Sequence, residues 1–283
     1  TNTGLFFLLF FYIELRLIAF ENNFKNRELG AMWKTIRVLC LLLILFIVAV
    51  NAWKDRNQDW SKPIFVLLHP VNADGLLSTQ HYIQQLTAND LQGAQQYLQG
   101  YAQQYRHQPT YFYFNLGREL KQVPPKVPND ANMLGVMLWS LKFRFYAWKQ
   151  RQSSDGAPSV TLFLNYYDPS QTKELKHSTA LENGRIGSVN LFASKKQSAQ
   201  NKIIIVHELL HAFGATDKYE LATGQPIYPI GYAFPDQKPL FPQAKAELMA
   251  GHIPVSETKS KMPENLEQTI INPQTATEMG WIK

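Results

Sequence analysis

The chain has 283 residues, 45 % hydrophobic and 18 % charged, a composition that fits a globular protein and excludes a disordered one. Its net charge of +6 divides between residues 1–37, with five basic and three acidic side chains, and the remainder, with 23 basic and 19 acidic, or +4. The basic residues are scattered rather than bunched, so a nucleic-acid partner is not indicated, and a single cysteine, Cys40, excludes a disulfide framework within the chain.

Residues 1–31 carry a hydrophobic stretch, GLFFLLFFYIELRLIAF, interrupted by Glu14 and Arg16, charges that are costly inside a bilayer. Met32 follows and opens a well-formed export signal, so residues 1–31 read as upstream extension, with a second membrane-proximal segment as the competing reading. Residues 38–50, VLCLLLILFIVAV, are an unbroken apolar run preceded by Lys34 and Arg37, the pattern of a signal anchor or signal peptide over residues 32–53. Two outcomes stay open. An uncleaved anchor gives a single-pass protein of the cytoplasmic membrane, whereas cleavage near Ala52 gives a secreted form. With the basic flank read on the near side only, both place residues 54–283 outside the cytoplasm.

Past residue 54 the expected elements follow in order. Residues 63–69 read as a buried strand, and residues 78–105 as two helical pieces or one interrupted helix, with a capping box at Thr87 and Asp90. Residues 110–116 alternate aromatic with other residues and read as a strand. The prolines at 124, 125 and 128 break the chain before a helix over about 131–149. Residues 160–167 and 186–193 are two more strands, the second leading into a helix that starts near Ser198 or Asn201. Residues 223–243 are dense in Pro and Gly and read as loop. A short helix near residues 275–281 closes the chain.

The helix after residue 198 carries HELLHAFGATD, residues 207–217. His207 and His211, four apart, share one helical face and can grip one metal ion. Glu208 projects beside the metal's open position, where a carboxylate can take a proton from water. Gly214 is suited to end the helix by adopting a left-handed conformation, and the resulting turn brings Asp217 within reach as third ligand. Chance placement of the chain's histidines and glutamates gives roughly 0.01 occurrences of His-Glu-x-x-His, so an accidental match is a poor account of it. The bland reading of Asp217 is a pairing with Lys218 or a cap on the next turn.

The pattern HExxHxxGxxD resembles the metzincin zinc metallopeptidases, in the variant with aspartate as third ligand, and Glu247-Leu248-Met249-Ala250-Gly251 resembles their Met-turn. The resemblance implies an α+β, zincin-like catalytic domain over residues 54–283, with a twisted mixed sheet, apart from the extra helix at 131–149. It implies Zn2+ held by His207, His211 and Asp217, with Met249 beneath the ligands. It further implies a substrate-binding edge strand at residues 187–192, just before the metal helix. The expected activity is hydrolysis of a peptide or protein substrate with Glu208 as general base, then as acid for the leaving amine.

Alternatives stay open at several residues. Glu220 or Glu247 could replace Asp217 as ligand. Tyr219, Tyr232 and His252 are candidates for stabilising an oxyanion but read first as structural, and His69, His81, His107 and His177 read as structural or surface residues. The competing function is a non-catalytic, zinc-stabilised module that binds peptide or envelope polymer. Glu208 argues against it, because a purely structural site needs no base and closes its fourth position with a ligand.

Overall fold

The computed structural model describes residues 27–128, 132–152 and 155–282. Residues 1–26, on which most of the proposed upstream extension falls, lie outside them. The chain divides into two compact units, one of residues 1–56 and 124–152, the other of residues 57–123 and 153–283. The helix expected near 131–149 therefore groups with the N-terminal helix.

The larger unit is built on a five-stranded sheet in the order β2-β1-β3-β5-β4. Its strands are β1 (Ile64–Asn72), β2 (Phe112–Leu116), β3 (Val160–Tyr167), β4 (Thr179–Leu181) and β5 (Ile186–Phe192). β2, β1, β3 and β5 run parallel, and β4 pairs antiparallel with β5. Central parallel strands covered on both faces need continuous apolar runs, which β1 and β3 supply through Val66, Leu67, Leu68, Leu162, Phe163 and Leu164, all buried. Between β1 and β2 lie helices α2 (Leu77–Gln84) and α3 (Asn89–Arg106). The second buries Leu91, Ala94, Leu98 and Ala102, one stripe at helical spacing. At the break between the two helices the Asp90 carboxylate accepts from the Thr87 amide at 2.8 Å, the reach-back half of a capping box.

Helix α5 (Ser198–His211) follows β5 and packs on it and on α3. It starts at Ser198. Asn201, the other cap expected from sequence, instead bonds the amide and carbonyl of Phe192, tying the helix to the end of β5. The buried Ile203, Ile205, Val206, Leu209 and Leu210 leave α5 little apolar surface. Beyond α5 the chain is largely loop, as the proline and glycine density foretold. It ends in α6 (Pro273–Glu278), where Trp281 packs edge-on against Trp60 and Trp60 Nε1 donates to the Met279 carbonyl at 2.9 Å.

One expectation is corrected. Residues 187–192 are not the sheet edge along their whole length: β4 covers Ile186 to Ser188, and Asn190 is tied by side-chain bonds to Lys176, His177 and Ser178. The terminal strand is β4. Its three residues are too short to show the alternation by which strands are read.

In the smaller unit, α1 (Arg27–Arg56) contains a 25-residue stretch, Met32–Arg56, long and apolar enough to cross a membrane. At 1.5 Å per residue it reaches about 37 Å against a hydrocarbon core of about 30 Å. Lys54 and Arg56 sit in its last turn, so basic side chains flank both ends of the apolar run and the one-sided charge read from Lys34 and Arg37 disappears. The second helix of this unit, α4 (Met133–Gln150), begins at an Asn132 side chain that accepts from the Gly135 amide.

Candidate metal centre

The last turn of α5 presents His207 and His211 with their Nε2 atoms 3.0 Å apart and their rings nearly perpendicular, at 81°. Each Nδ1 faces a backbone carbonyl, His207 that of Leu248 at 3.0 Å and His211 that of Ala215 at 2.7 Å. A carbonyl can only accept, so each Nδ1 carries a proton, and in the neutral ring each Nε2 turns a lone pair inward.

The helix ends where Gly214 takes φ +97° and the Ala215 amide donates to the Leu210 carbonyl at 3.1 Å. The chain doubles back, and Asp217 Oδ1 lies 3.1 Å from both Nε2 atoms. Three acceptors thus converge on one point. Their separations are close to the edge of about 3.3 Å expected for a tetrahedron of ~2.0 Å bonds around zinc. Without a cation or proton between them such an arrangement repels itself, so the donor set fits a divalent metal. The side chains keep 13 %, 19 % and 32 % exposure for His207, His211 and Asp217, so the centre opens to solvent.

Glu208 completes a His-Glu-His group that could hold a metal ion, its nearer ligand atoms all within 4.8 Å of one another. Its Oε2 is buried with no hydrogen-bond partner among the described residues. Burial raises the Glu208 carboxyl above its ordinary value, against the opposing pull of the two histidines. Burial lowers His207, but the Asp217 hydrogen bond and the Glu208 charge outweigh it and carry the imidazole to about 8. Burial would raise Asp217, yet its bonds to both histidines hold it well below the usual carboxylate range. The chain matches no protein-family model and no curated protein sequence. The reading of this centre therefore rests on its own geometry.

The turn at Leu248–Ala250 is a single 3-10 turn, ended by Gly251 at φ +72°. It meets the centre through its backbone. The Leu248 carbonyl takes His207, and the Met249 carbonyl takes the Lys218 amide at 3.0 Å. The Met249 side chain is fully buried in the hydrophobic core.

Both alternative ligands are otherwise engaged. Glu247, fully buried, accepts from the Met249 and Ala250 amides and the Thr275 hydroxyl, and so shapes the turn. Glu220 accepts the Thr223 hydroxyl. Lys218 does not pair with Asp217. Its fully buried ammonium reaches Glu278 of α6 at 2.8 Å, while the Thr216 amide and hydroxyl bond the same carboxylate at 2.9 and 3.0 Å. Glu278 thus grips the residues on both sides of Asp217. Gly231 backs the same loop, for a Cβ there would collide with the Lys218 carbonyl and lie 2.8 Å from the Ile227 amide nitrogen. Sequence reading offered Lys218 only as a partner for Asp217 and missed the parts of Gly231 and Glu278, the last because 60 residues separate it from Lys218.

Of the three oxyanion candidates, Tyr219 stands nearest the centre: burial, the charges of Asp217 and Glu208, and a hydrogen bond with Asp217 push its hydroxyl up to about 12. Tyr232 packs edge-on against Tyr228 and Phe241. Burial lowers His252 despite a bond to Ala250. His69 is structural, bonded at Nδ1 to the Arg118 carbonyl and stacked on Phe163.

Proposed function

We propose that this chain is a zinc-dependent metallopeptidase of the metzincin type, held at a membrane by α1. The observation that carries the reading is the convergence of His207 Nε2, His211 Nε2 and Asp217 Oδ1 at 3.0–3.1 Å beside a buried, partnerless carboxylate oxygen of Glu208. These three atoms would hold the zinc. When bound, the ion supplies a Lewis acid that polarises the scissile carbonyl and acidifies a water molecule.

The chain's own residues supply the rest. Glu208, with a raised affinity for protons and no internal hydrogen bond to break at Oε2, accepts the proton of the attacking water and returns it to the leaving amine. The carbonyls of Leu248 and Ala215 fix the two imidazoles in the tautomer that leaves Nε2 free. Strand β4, last in the sheet and packed against α5, offers its outer edge to an extended peptide by strand addition, a mode that requires only backbone groups.

The test uses the full chain purified in detergent. Metal analysis is expected to find close to one zinc per chain, and a peptide library to be cleaved in a chelator-sensitive way. Glu208→Gln is expected to keep the zinc and lower turnover by about a hundred- to ten-thousandfold, the usual weight of a general base. Zinc bound without hydrolysis of any peptide by the native chain would favour the non-catalytic module instead.

A further inference from the structure

Helix α4 carries an apolar surface that its own unit does not cover. It buries one narrow stripe, Trp139, Phe143 and Tyr146, with Trp139 Nε1 donating to the Pro125 carbonyl at 2.9 Å. Met133, Leu134, Val136, Met137 and Leu138, all large and apolar, are exposed, Met133 to 87 %. At 100° per residue these five spread over roughly 200° of the circumference, opposite the buried stripe. A helix that docks in a protein groove presents a stripe narrower than this. Here the whole outer surface of the first two turns is hydrocarbon.

Polarity changes along the axis. From Met133 to Leu141 there is no charged residue; from Lys142 to Arg151 there are four, Lys142, Arg144, Lys149 and Arg151, all basic, with Phe145 and Trp148 exposed among them. No acidic residue occurs anywhere from Met133 to Arg151. The uncharged part is about 13 Å long, against about 15 Å for the hydrocarbon of one leaflet. Basic side chains and tryptophan immediately beyond it suit the headgroup layer of an anionic bilayer. The same compact unit contains α1, the one helix among the described residues long and apolar enough to span a membrane.

We propose that α4 is a second membrane contact, with Met133–Leu141 entering the acyl region of one leaflet and the exposed Lys142, Lys149 and Arg151 lying at anionic headgroups. The proposal rests on the reading of α1 as a membrane span, and the test separates the two. In the full chain with Cys40→Ser, single cysteines replace Met137 in α4, Phe46 in α1 or the exposed Leu221, and each carries an environment-sensitive fluorophore. The proteins are reconstituted in vesicles of phosphatidylcholine and phosphatidylglycerol. The probe at 137 is expected to be quenched by nitroxide on the lipid acyl chains and to be at least about fivefold less accessible to iodide than the probe at 221. Omitting phosphatidylglycerol is expected to weaken the lipid quenching at 137 and leave that at 46 unchanged.

A probe at 137 as open to iodide as that at 221, with the probe at 46 still quenched by lipid, overturns the proposal while α1 remains a span. Protection from iodide at 137 without lipid quenching also overturns it, since protein then covers the helix. An iodide-accessible probe at 46 removes the span; lipid quenching at 137 in that case leaves α4 as the membrane contact, and its loss removes both.

Discussion

The two halves of the metal centre are built by different means. His207, Glu208 and His211 come from one helix whose apolar residues are already sunk in the core, so their mutual placement follows from helical geometry alone. Asp217 comes from a loop with no regular structure and is placed by long-range bonds: Glu278 to Thr216 and Lys218, and Met249 to Lys218. Helix hydrogen bonds fix the first half locally. The second half is only as stiff as the buried polar contacts that hold it, and the two halves are therefore expected to respond differently to substitution.

Removing the third donor gives the largest expected effect. Asp217→Ala leaves both histidines on their helix but opens the triangle, and zinc affinity is expected to fall by more than the ten- to hundredfold that loss of a supporting partner costs. Glu220→Ala is expected to leave both zinc content and turnover near the native values. Competition with a zinc-binding dye measures the affinities, and native-like zinc retention in Asp217→Ala would remove that residue from the site.

Next comes the loop's anchor. Glu278→Gln leaves the ammonium of Lys218 buried without its charge partner; breaking a fully buried pair in this way typically costs about 3–5 kcal/mol, and the 21 % exposure of the Glu278 side chain sets the expected loss below that. Denaturant unfolding is expected to show this loss, together with weaker zinc binding. The double variant Lys218→Met with Glu278→Gln is expected to recover much of the stability, because no unpaired charge remains, but not the zinc affinity, because the loop loses its grip on either side of Asp217. Full recovery of both properties would mean that the pair does not position the ligand.

The same division explains what could be read from the sequence. His207, Glu208, His211 and Gly214 were legible because helix geometry maps spacing directly onto space, and β1, β2, β3, β5 and the helices emerged because apolar runs and periodicity are local signals. β4 escaped because three residues show no period. Lys218 and Glu278 escaped because an isolated charge in a loop gives no sign that it will be buried against another one far along the chain. Asp217 is intermediate: Gly214 signals that the chain turns, but only the anchors determine where it arrives. Asn201 went the other way, a cap by type that folding uses to join the helix to β5.

The smallest expected effect separates the two carboxylates behind the loop by sign. Burial would raise Glu278, but the bond to Lys218 and those to Thr216 prevail and its carboxyl lies below the ordinary 4.5. Burial raises Glu247, and its bonds to Thr275 and the turn amides only partly offset this. An acid whose pKa is depressed on folding contributes stability that is present above its unfolded value and lost as pH falls through the folded one. An acid whose pKa is raised on folding contributes in the opposite sense: its share is present below the unfolded value and lost as pH rises through the folded one. Urea unfolding of the native chain, Glu278→Gln and Glu247→Gln is compared across acid pH, each variant subtracted from the native protein at the same pH. The advantage of the native protein over Glu278→Gln is expected to shrink as pH drops below about 4.5, with solvent exposure keeping the change modest. Its advantage over Glu247→Gln is expected to grow as pH falls toward about 4.5 from above, as the buried Glu247 becomes neutral, and to stay level below that. If both differences move in the same direction as pH falls, folding does not shift the two carboxylates in opposite directions, and only the helix half of the description stands unchanged.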